Sequence, residues 1–299
     1  MPSSMPSGTS PSLPAVVPAS RYAPAQSRPG RRSQDANVPP EARAEAQDRR
    51  RLVHDLRQAA TSGGFVLHYQ RRIRLTNGAI TGAEALIRWP HRKRGMMPPD
   101  RFIPLAEQHG LIGDIGAWVL ETGCAEAARW RAPGHPTLGV NVSARQLHET
   151  GFPSRIALAL ERSGLPAERL DIELTESMLL DVDDDILFVL SALRDMGIGL
   201  SLDDFGTGYA SLAMLRRLPL TTLKIDRMLV RELPRNTEDL AIVRAMVQTC
   251  HAMGLTVVAE GVETEVQRDC LASIGADEGQ GYLFGRPAPA DQLFLPLAA

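Results

Sequence analysis

Short apolar stretches alternate with longer helical patterns from residue 65 to residue 283 of this chain. The stretches predicted to be strands are Phe65–Tyr69, Ile80–Leu86, Leu138–Val142, Leu170–Leu174, Ile198–Leu202, Thr222–Ile225, Thr256–Ala259 and Glu278–Leu283. The main patterns predicted to be helices are Arg101–Glu107, Ile115–Trp130, Phe152–Arg162, Asp184–Asp195 and Glu238–Met253. Helices at this spacing act as crossovers between parallel strands, and strands that are apolar throughout are covered on both faces.

The number and length of these units favour one fold class. About eight strand–helix units in roughly 240 residues match an α/β fold of the TIM-barrel type, which typically has about 250 residues. A doubly wound open sheet is the alternative, since it uses the same units. We expect one domain over residues 41–299. It begins with a lead-in helix that ends at Ser62-Gly63-Gly64, and the barrel follows.

Residues 1–40 have a different composition from the rest of the chain. They are rich in Pro and Ser, have few large apolar residues, and place four arginines before the first acidic residue, Asp35. Such a segment buries too little apolar surface to offset the entropy lost on ordering, so we expect a disordered tail. An organelle transit peptide is the alternative, but the density of Pro argues against its amphipathic helix.

Charge and cysteine content limit the ligands and the compartment. The formal net charge of -2 gives the chain no general attraction to DNA or to anionic membranes. Its 3 cysteines include no CxxC pair, which fits neither a disulfide framework nor a structural zinc site. No apolar run approaches the roughly 18 residues of a membrane helix, and no secretory signal pattern is present. We expect a cytoplasmic protein without a membrane segment or direct DNA binding, which holds a small ligand at a local site.

Polar side chains occur at the carboxyl ends of most of the predicted strands. In a parallel barrel these ends meet at one mouth, which is where reactive groups lie. The residues concerned are Glu84, Asn141, Glu173, Glu176, Asp203, Asp204, Lys224, Glu260, Glu263 and Gln280. Any one of the acidic residues could instead cap a helix or form a turn. Glu84 and Glu173 are harder to explain in that way, because apolar strand neighbours predict that both are buried and need partners.

A cluster of buried carboxylates repels itself unless cations are present. Oxygen ligands without grouped His or Cys suit Mg²⁺ or Mn²⁺, and two such ions about 3.5–4 Å apart are typical of sites that cleave phosphodiesters. Lys224 allows two interpretations. Beside metal ions it could lose a proton near neutral pH and activate water, or it could form a buried ion pair with one of the carboxylates.

A series of motifs in the chain resembles the EAL-domain family of cyclic di-GMP phosphodiesterases. The resemblance covers about residues 50–296. Its main motifs are Glu84-Ala85-Leu86, Asn141-Val142-Ser143, Glu173-Leu174-Thr175-Glu176, Asp203-Asp204-Phe205-Gly206-Thr207-Gly208, Leu223-Lys224-Ile225-Asp226, Glu260-Gly261-Val262-Glu263 and Gln280-Gly281-Tyr282.

The resemblance implies a barrel with one antiparallel strand, a homodimer, and hydrolysis of cyclic di-GMP to the linear dinucleotide pGpG with two Mg²⁺ or Mn²⁺ ions. The implied metal ligands are Glu84, Asn141, Glu173, Asp203, Asp204 and Glu260. The implied catalytic and supporting residues are Lys224, Glu260, Glu176, Gln280 and Glu263, of which Glu176 would hold the loop that begins at Phe205. The implied substrate contacts are Gln70, Glu84, Arg88 and Asp204.

Two positions depart from the family pattern, which usually has proline at both. Arg71 follows Gln70, which puts the local shape of the ligand floor in question, and Arg92 follows His91 in a loop where we expect no effect. The main functional alternative is an EAL module that binds cyclic di-GMP or a partner protein without cleaving anything. A third hypothesis is a scaffold that uses the arginines of the tail to bind an acidic partner.

Overall fold

The first helix leads into the barrel. A computed structural model of the protein describes residues 40–206, residue 208 and residues 212–295. The tail predicted at residues 1–40 lies outside the described residues except for Pro40, where helix α1 (Pro40–Ser62) begins. From Gln47 onward α1 belongs to the same compact unit as the barrel, and Leu56 on it is fully buried. The helix ends before Gly63, whose φ of +69° is left-handed and therefore favours glycine.

The described residues form one nine-stranded sheet, eight strands of which close into a barrel. The strands are β1 (Val66–Arg74), β2 (Ile80–His91), β3 (Gly95–Met97), β4 (Thr137–Asn141), β5 (Leu170–Thr175), β6 (Gly199–Phe205), β7 (Thr222–Ile225), β8 (Thr256–Ala259) and β9 (Glu278–Gln280). Their order is β1-β9-β8-β7-β6-β5-β4-β2-β3, and the pairing of β1 with β2 completes the ring. The barrel is therefore confirmed and the open sheet is excluded.

One strand of the ring is antiparallel, as the family resemblance implied. β1 runs antiparallel to both β2 and β9, whereas the ladders from β2 through β4 to β9 are parallel. β3 lies outside the ring and forms a hairpin with β2. Arg92 is exposed in the turn of this hairpin.

Helices connect the parallel strands. They are α2 (Ile103–Gln108), α3 (Ile112–Ala127), α4 (Ala144–Leu147), α5 (Phe152–Ser163), α6 (Asp184–Asp195), α7 (Leu212–Leu215), α8 (Arg227–Val230), α9 (Thr237–Ala252) and α10 (Glu265–Ser273). The five helices predicted from the sequence correspond to α2, α3, α5, α6 and α9. Side-chain caps set the starts of several helices: Asp183 accepts from the Ile186 amide before α6, and Thr264 caps α10 together with Gln267. None of the described helices combines the length and the apolar character that a membrane span requires.

The two faces of the barrel strands differ in chemistry. On β5, Leu170, Ile172 and Leu174 are buried on the face that packs against helices, while Asp171 and Glu173 alternate with them on the other face. The barrel interior is consequently rich in polar groups, whereas many TIM barrels fill it with branched apolar side chains. This alternation directs chemically active side chains into the barrel at several strands at once.

The interior polar groups form a lower and an upper layer. We call the lower layer the group of Arg72, Asp171, Ser201 and Glu278. Arg72 forms ion pairs with Asp171 at 3.3 Å and with Glu278 at 2.8 Å, and the Ser201 hydroxyl donates to Asp171 at 2.6 Å. The upper layer, toward the carboxyl ends of the parallel strands, holds the predicted functional residues.

Candidate metal centre

Lys224 lies at the centre of the upper layer and is 0% exposed. Its Nζ is 2.7 Å from Glu260 Oε1, 3.0 Å from Glu173 Oε2, 3.1 Å from Asp203 Oδ1 and 3.6 Å from Glu84 Oε2. These carboxylates come from β2, β5, β6 and the residue after β8. Four strands of the barrel therefore bring acidic groups to one point, although Glu84 lies within β2 and not at its carboxyl end.

One ammonium group cannot balance four carboxylates, and burial together with repulsion among the acidic groups raises the pKa of two of them. Burial, together with the charges of Asp203 and Glu84, raises the pKa of Glu260 to about 8 against the opposing effect of Lys224. Burial is also the main cause that raises the pKa of Glu173, which is 1% exposed, well above its usual value. The cluster thus has more acidic groups than one lysine can neutralise, and bound cations would favour their ionised forms.

The pKa of Lys224 is raised well above its usual value. Burial alone would lower it, but Glu173, Glu260, Glu84 and Asp203 stabilise the ammonium form and outweigh burial. Among these side chains alone Lys224 therefore keeps its proton. The prediction that it loses the proton concerns Lys224 beside metal ions and stays a prediction. The ion-pair interpretation describes the geometry, and deprotonation requires additional positive charge near the carboxylates.

Amide side chains hold Glu84 in place. Asn141 Nδ2 donates to Glu84 Oε1 at 2.6 Å, and Gln280 Nε2 donates to Glu84 Oε2 at 2.6 Å. Gln280 Nε2 also lies 3.4 Å from Gln70 Oε1, and Gln70 Nε2 donates to the Gly285 carbonyl at 3.2 Å. A continuous chain of amides therefore connects Glu84 with β1 and with the turn after β9.

The end of β6 places two neighbouring acidic residues on one side of the site. Asp204 has a φ of +57°, and the ladder between β6 and β7 is irregular between Leu202 and Phe205. The Asp204 amide donates to Asp203 Oδ1 at 3.0 Å. Burial, with the Asp203 charge, raises the pKa of Asp204 to about 6. The left-handed residue thus lets both carboxylates face the same region.

The acidic oxygens form two groups that share Asp203. One oxygen each from Glu84, Glu173 and Asp203 lie within 4.8 Å of one another, and the same holds for Asp203, Asp204 and Glu260. The donors are all oxygen atoms, which suits Mg²⁺ or Mn²⁺. Two adjacent groups with one common member are the arrangement expected of a two-cation site.

Glu176 lies beside this cluster and binds the loop after β6. It is 2% exposed, and its Oε2 accepts a hydrogen bond from the Gly206 amide at 3.0 Å. The predicted contact of Glu176 with the loop that begins at Phe205 is therefore present at Gly206. The residues between Gly206 and Leu212, apart from Gly208, lie outside the described part of the chain.

A cavity of about 310 Å³ opens over the acidic cluster. Its walls include predicted site residues, namely Gln70, Glu84, Asp203, Asp204, Glu260, Glu263 and Gln280. Glu263 is an exposed residue at its edge, and Asn141 instead lines a larger adjoining cavity of about 950 Å³, which also reaches Asp204. Arg88 lines neither of these two cavities. It is half-buried, and its Nη1 donates to the Ile87 carbonyl.

Sequence reasoning missed several residues of the site. Tyr282 and Arg227 line the smaller cavity, and the Arg286 guanidinium stacks 4.1 Å from the centre of the Tyr282 ring. Gly139 is the strand neighbour of Glu84, and a Cβ at this position would overlap Glu173 Oε1. A glycine inside an apolar strand signals close approach of another group, so this position could have been found.

The family model for the EAL domain matches residues 53–287 of the chain. The chain belongs to the EAL domain family. The resemblance noted from the motifs is thus confirmed over most of the barrel.

Several relatives with assigned names share this EAL domain. The chain is 45% identical over 257 residues to the bifunctional diguanylate cyclase/cyclic di-GMP phosphodiesterase MucR of Pseudomonas aeruginosa. This match covers 85% of the chain and 38% of MucR. The chain is also 41% identical over 240 residues to the cyclic di-GMP phosphodiesterase NbdA of the same species. This match covers 80% of the chain and 31% of NbdA. The chain therefore spans only about a third of the length of these two relatives.

A solved structure matches the same EAL domain closely. It is described as the PaMucR phosphodiesterase in complex with c-di-GMP. The TM-score is 0.77 at 44% sequence identity, and the match covers 82% of this chain and 100% of the solved chain. The barrel of this protein and that of the solved phosphodiesterase domain therefore have the same fold.

Proposed function

We propose that this EAL domain hydrolyses cyclic di-GMP to linear pGpG with the help of two divalent cations, Mg²⁺ or Mn²⁺. The observation that carries the proposal is the meeting of four carboxylates, each from a different strand or the residue after it, around Lys224 beneath a cavity. Cyclic di-GMP is proposed as the substrate because MucR and NbdA are named for it and the solved PaMucR domain is in complex with it.

The residues proposed to hold the cations fit them chemically. Their ligand atoms are carboxylate oxygens, and Asn141 uses its Nδ2 on Glu84, which leaves its Oδ1 as a ligand atom. The proposed set is Glu84, Asn141, Glu173, Asp203, Asp204 and Glu260. Such cations, when bound, polarise the phosphodiester and make water a better nucleophile at neutral pH.

Within this reaction Lys224 orients the attacking water and accepts or shares its proton. Positive charge from cations near Glu173 and Glu260 would weaken the stabilisation that these carboxylates give to the Lys224 ammonium. The pKa of Lys224 would then fall toward neutrality. Gln280 fixes the orientation of Glu84, and Glu176 fixes the loop at Gly206. Glu263 supports the edge of the cavity.

Substrate contacts are proposed at Gln70, Arg88, Glu84 and Asp204. Three of these line the cavity over the acidic cluster, and Gln70 presents its amide there. Arg88 reaches a phosphate only after leaving its contact with the Ile87 carbonyl, so we expect it to reorient when the ligand binds.

The test is chromatography of cyclic di-GMP after incubation with purified protein and Mg²⁺, Mn²⁺ or EDTA. We expect pGpG with either metal and background turnover with EDTA. Glu84→Ala should abolish turnover, whereas Glu161→Ala, a change at an exposed residue of α5, should leave it unchanged. Ligand binding without turnover in either metal would support the alternative, a receptor module that does not cleave.

We also propose that the protein acts as a homodimer, as the family resemblance implies. The contact of Glu176 with the Gly206 amide would then couple the loop after β6 to the acidic cluster. Sedimentation of the active preparation should give the mass of a dimer. Activity that sediments only as a monomer would contradict this part of the proposal.

A further inference from the structure

Arg71 lies on the outer face of β1, next to the inward-facing Gln70. Its Nη1 donates to the Leu295 carbonyl at 3.0 Å and its Nη2 donates to the Gln292 carbonyl at 3.2 Å. Its side chain also packs against Gly285, because a Cβ built there would lie 3.4 Å from Arg71 Nε. One side chain thus connects β1 with two places in the last described segment of the chain.

We call residues 285–295 the C-terminal strap. The strap lies along β1, since the Tyr69 amide donates to the Ala288 carbonyl at 2.7 Å and the Ala288 amide donates back at 3.0 Å. Leu293 of the strap is 1% exposed, and the ring of Phe294 lies 5.8 Å from that of Trp130. These contacts anchor the strap on the outer surface of the barrel.

The Gly285 carbonyl of the strap is bonded to Gln70, which lines the smaller cavity. This carbonyl accepts from Gln70 Nε2, which leaves Gln70 Oε1 facing Gln280 Nε2 at 3.4 Å. A glutamine amide has a donor end and an acceptor end, so fixing the donor end on Gly285 fixes the orientation of the whole Gln70 amide. Gln280 in turn donates to Glu84. The position of Gly285 therefore affects the orientation of a cavity-lining amide.

We propose that Arg71 is a positioning residue for substrate binding: it holds the strap and Gly285 so that Gln70 presents its amide to the ligand in one orientation. This proposal rests on the proposed binding of cyclic di-GMP at the cavity. Arg71 itself lies outside the cavity wall and touches neither the acidic cluster nor Lys224. Its effect should therefore fall on ligand affinity and leave the chemical step unchanged.

The first experiment compares Arg71→Ala, Arg71→Lys and the control Arg74→Ala, a change at an exposed arginine of the same strand. Loss of two hydrogen bonds from a charged donor should raise the KM for cyclic di-GMP about three- to tenfold, with kcat within about twofold of the wild type. Arg71→Lys keeps the charge but has one donor nitrogen in place of two, so its KM should lie between those of the wild type and Arg71→Ala. Arg74→Ala should not change KM.

The second experiment separates positioning from a general structural effect. If Arg71 acts through Gln70, then Arg71→Ala should raise KM in the wild type but not in a Gln70→Ala background. An equal increase in both backgrounds, or a fall in kcat with unchanged KM, would overturn the proposal. If the wild type binds cyclic di-GMP without cleaving it, the proposed hydrolysis fails, but the same comparison of dissociation constants by calorimetry still decides the role of Arg71.

Discussion

Replacing Lys224 with methionine tests the charge balance at the centre of the barrel. The Nζ atom has four carboxylate neighbours at 2.7–3.6 Å and no contact with solvent. Removal of one partner of a buried ion pair typically costs about 3–5 kcal/mol, because the other charge stays buried without compensation. We expect Lys224→Met to lower the free energy of unfolding by about this amount in EDTA.

Divalent cations should restore much of this loss, since they supply positive charge to the same carboxylates. The assay is urea denaturation followed by tryptophan fluorescence, with EDTA and with Mn²⁺, for the wild type, Lys224→Met and the exposed control Lys93→Met. The stabilisation by Mn²⁺ should be larger for Lys224→Met than for the wild type. Hydrolysis should fall about 10²–10⁴-fold even with the metal present, because the water-orienting group is gone.

Two results would refute this reasoning. One is an unfolding free energy in EDTA that is unchanged by Lys224→Met, which would mean that the carboxylates do not depend on the lysine. The other is a loss of stability that Mn²⁺ does not reduce, which would mean that cations do not bind where Lys224 compensates the acidic groups.

Three further predictions concern the same site. Gly139→Ala should displace Glu173, because the added methyl group overlaps its Oε1, and should reduce hydrolysis at least about tenfold in assays with saturating Mn²⁺. The pKa of Glu260, raised to about 8, means that the native state binds more protons than the unfolded state above about pH 5. The unfolding free energy measured in EDTA should therefore fall between about pH 5 and pH 8, by at most about 1.4 kcal/mol per pH unit. Glu176→Ala removes the acceptor of the Gly206 amide and should increase hydrogen exchange at that amide by roughly tenfold, as mass spectrometry can measure.

Each of these has a matched control or a contrary outcome. Gly123→Ala, at a buried helical glycine whose Cβ would lie 3.2 Å from Leu138 Cδ2, should keep wild-type hydrolysis. A stability in EDTA that rises over the same pH range would contradict the direction given for Glu260. Unchanged exchange at Gly206 in Glu176→Ala would show that the loop is held by other contacts.

The sequence predicted the barrel because apolar strands and helices recur along the chain, and this pattern depends on burial alone. It could not predict the direction of β1, since apolar periodicity is the same in parallel and antiparallel strands. The last strand ends at Gln280 and not at the predicted Leu283. Gly281 approaches the Val262 backbone so closely that a Cβ would overlap it, and Phe284 N donates to the Gly281 carbonyl in a turn. Such turns depend on packing between distant segments.

The candidate site was predicted by the same logic, except that the protonation state of Lys224 was left open. Inward-facing side chains near the same level of neighbouring strands must meet if the strands close into a barrel, so the gathering of Glu84, Glu173, Asp203 and Glu260 followed from the fold. The sequence did not show that β2 continues to His91 and leaves Glu84 inside the strand. The protonation of Lys224 did not follow, because it depends on how many carboxylates lie within a few ångströms of one atom. The contacts of Arg71 with the strap also could not be predicted from the sequence, because they join residues more than 200 positions apart.

The ion pairs of the lower layer have a consequence for anyone who redesigns this scaffold. In a barrel filled with hydrocarbon, one interior side chain can be exchanged for another of similar volume at modest cost. Here Arg72 pairs with both Asp171 and Glu278, so a neutral residue at position 72 leaves two carboxylates in a poorly hydrated space without their cation, whereas loss of one acid still leaves Arg72 paired with the other. Variants that replace Arg72 should therefore replace both of its acidic partners as well, whereas each acid can be varied while Arg72 and the other acid are kept.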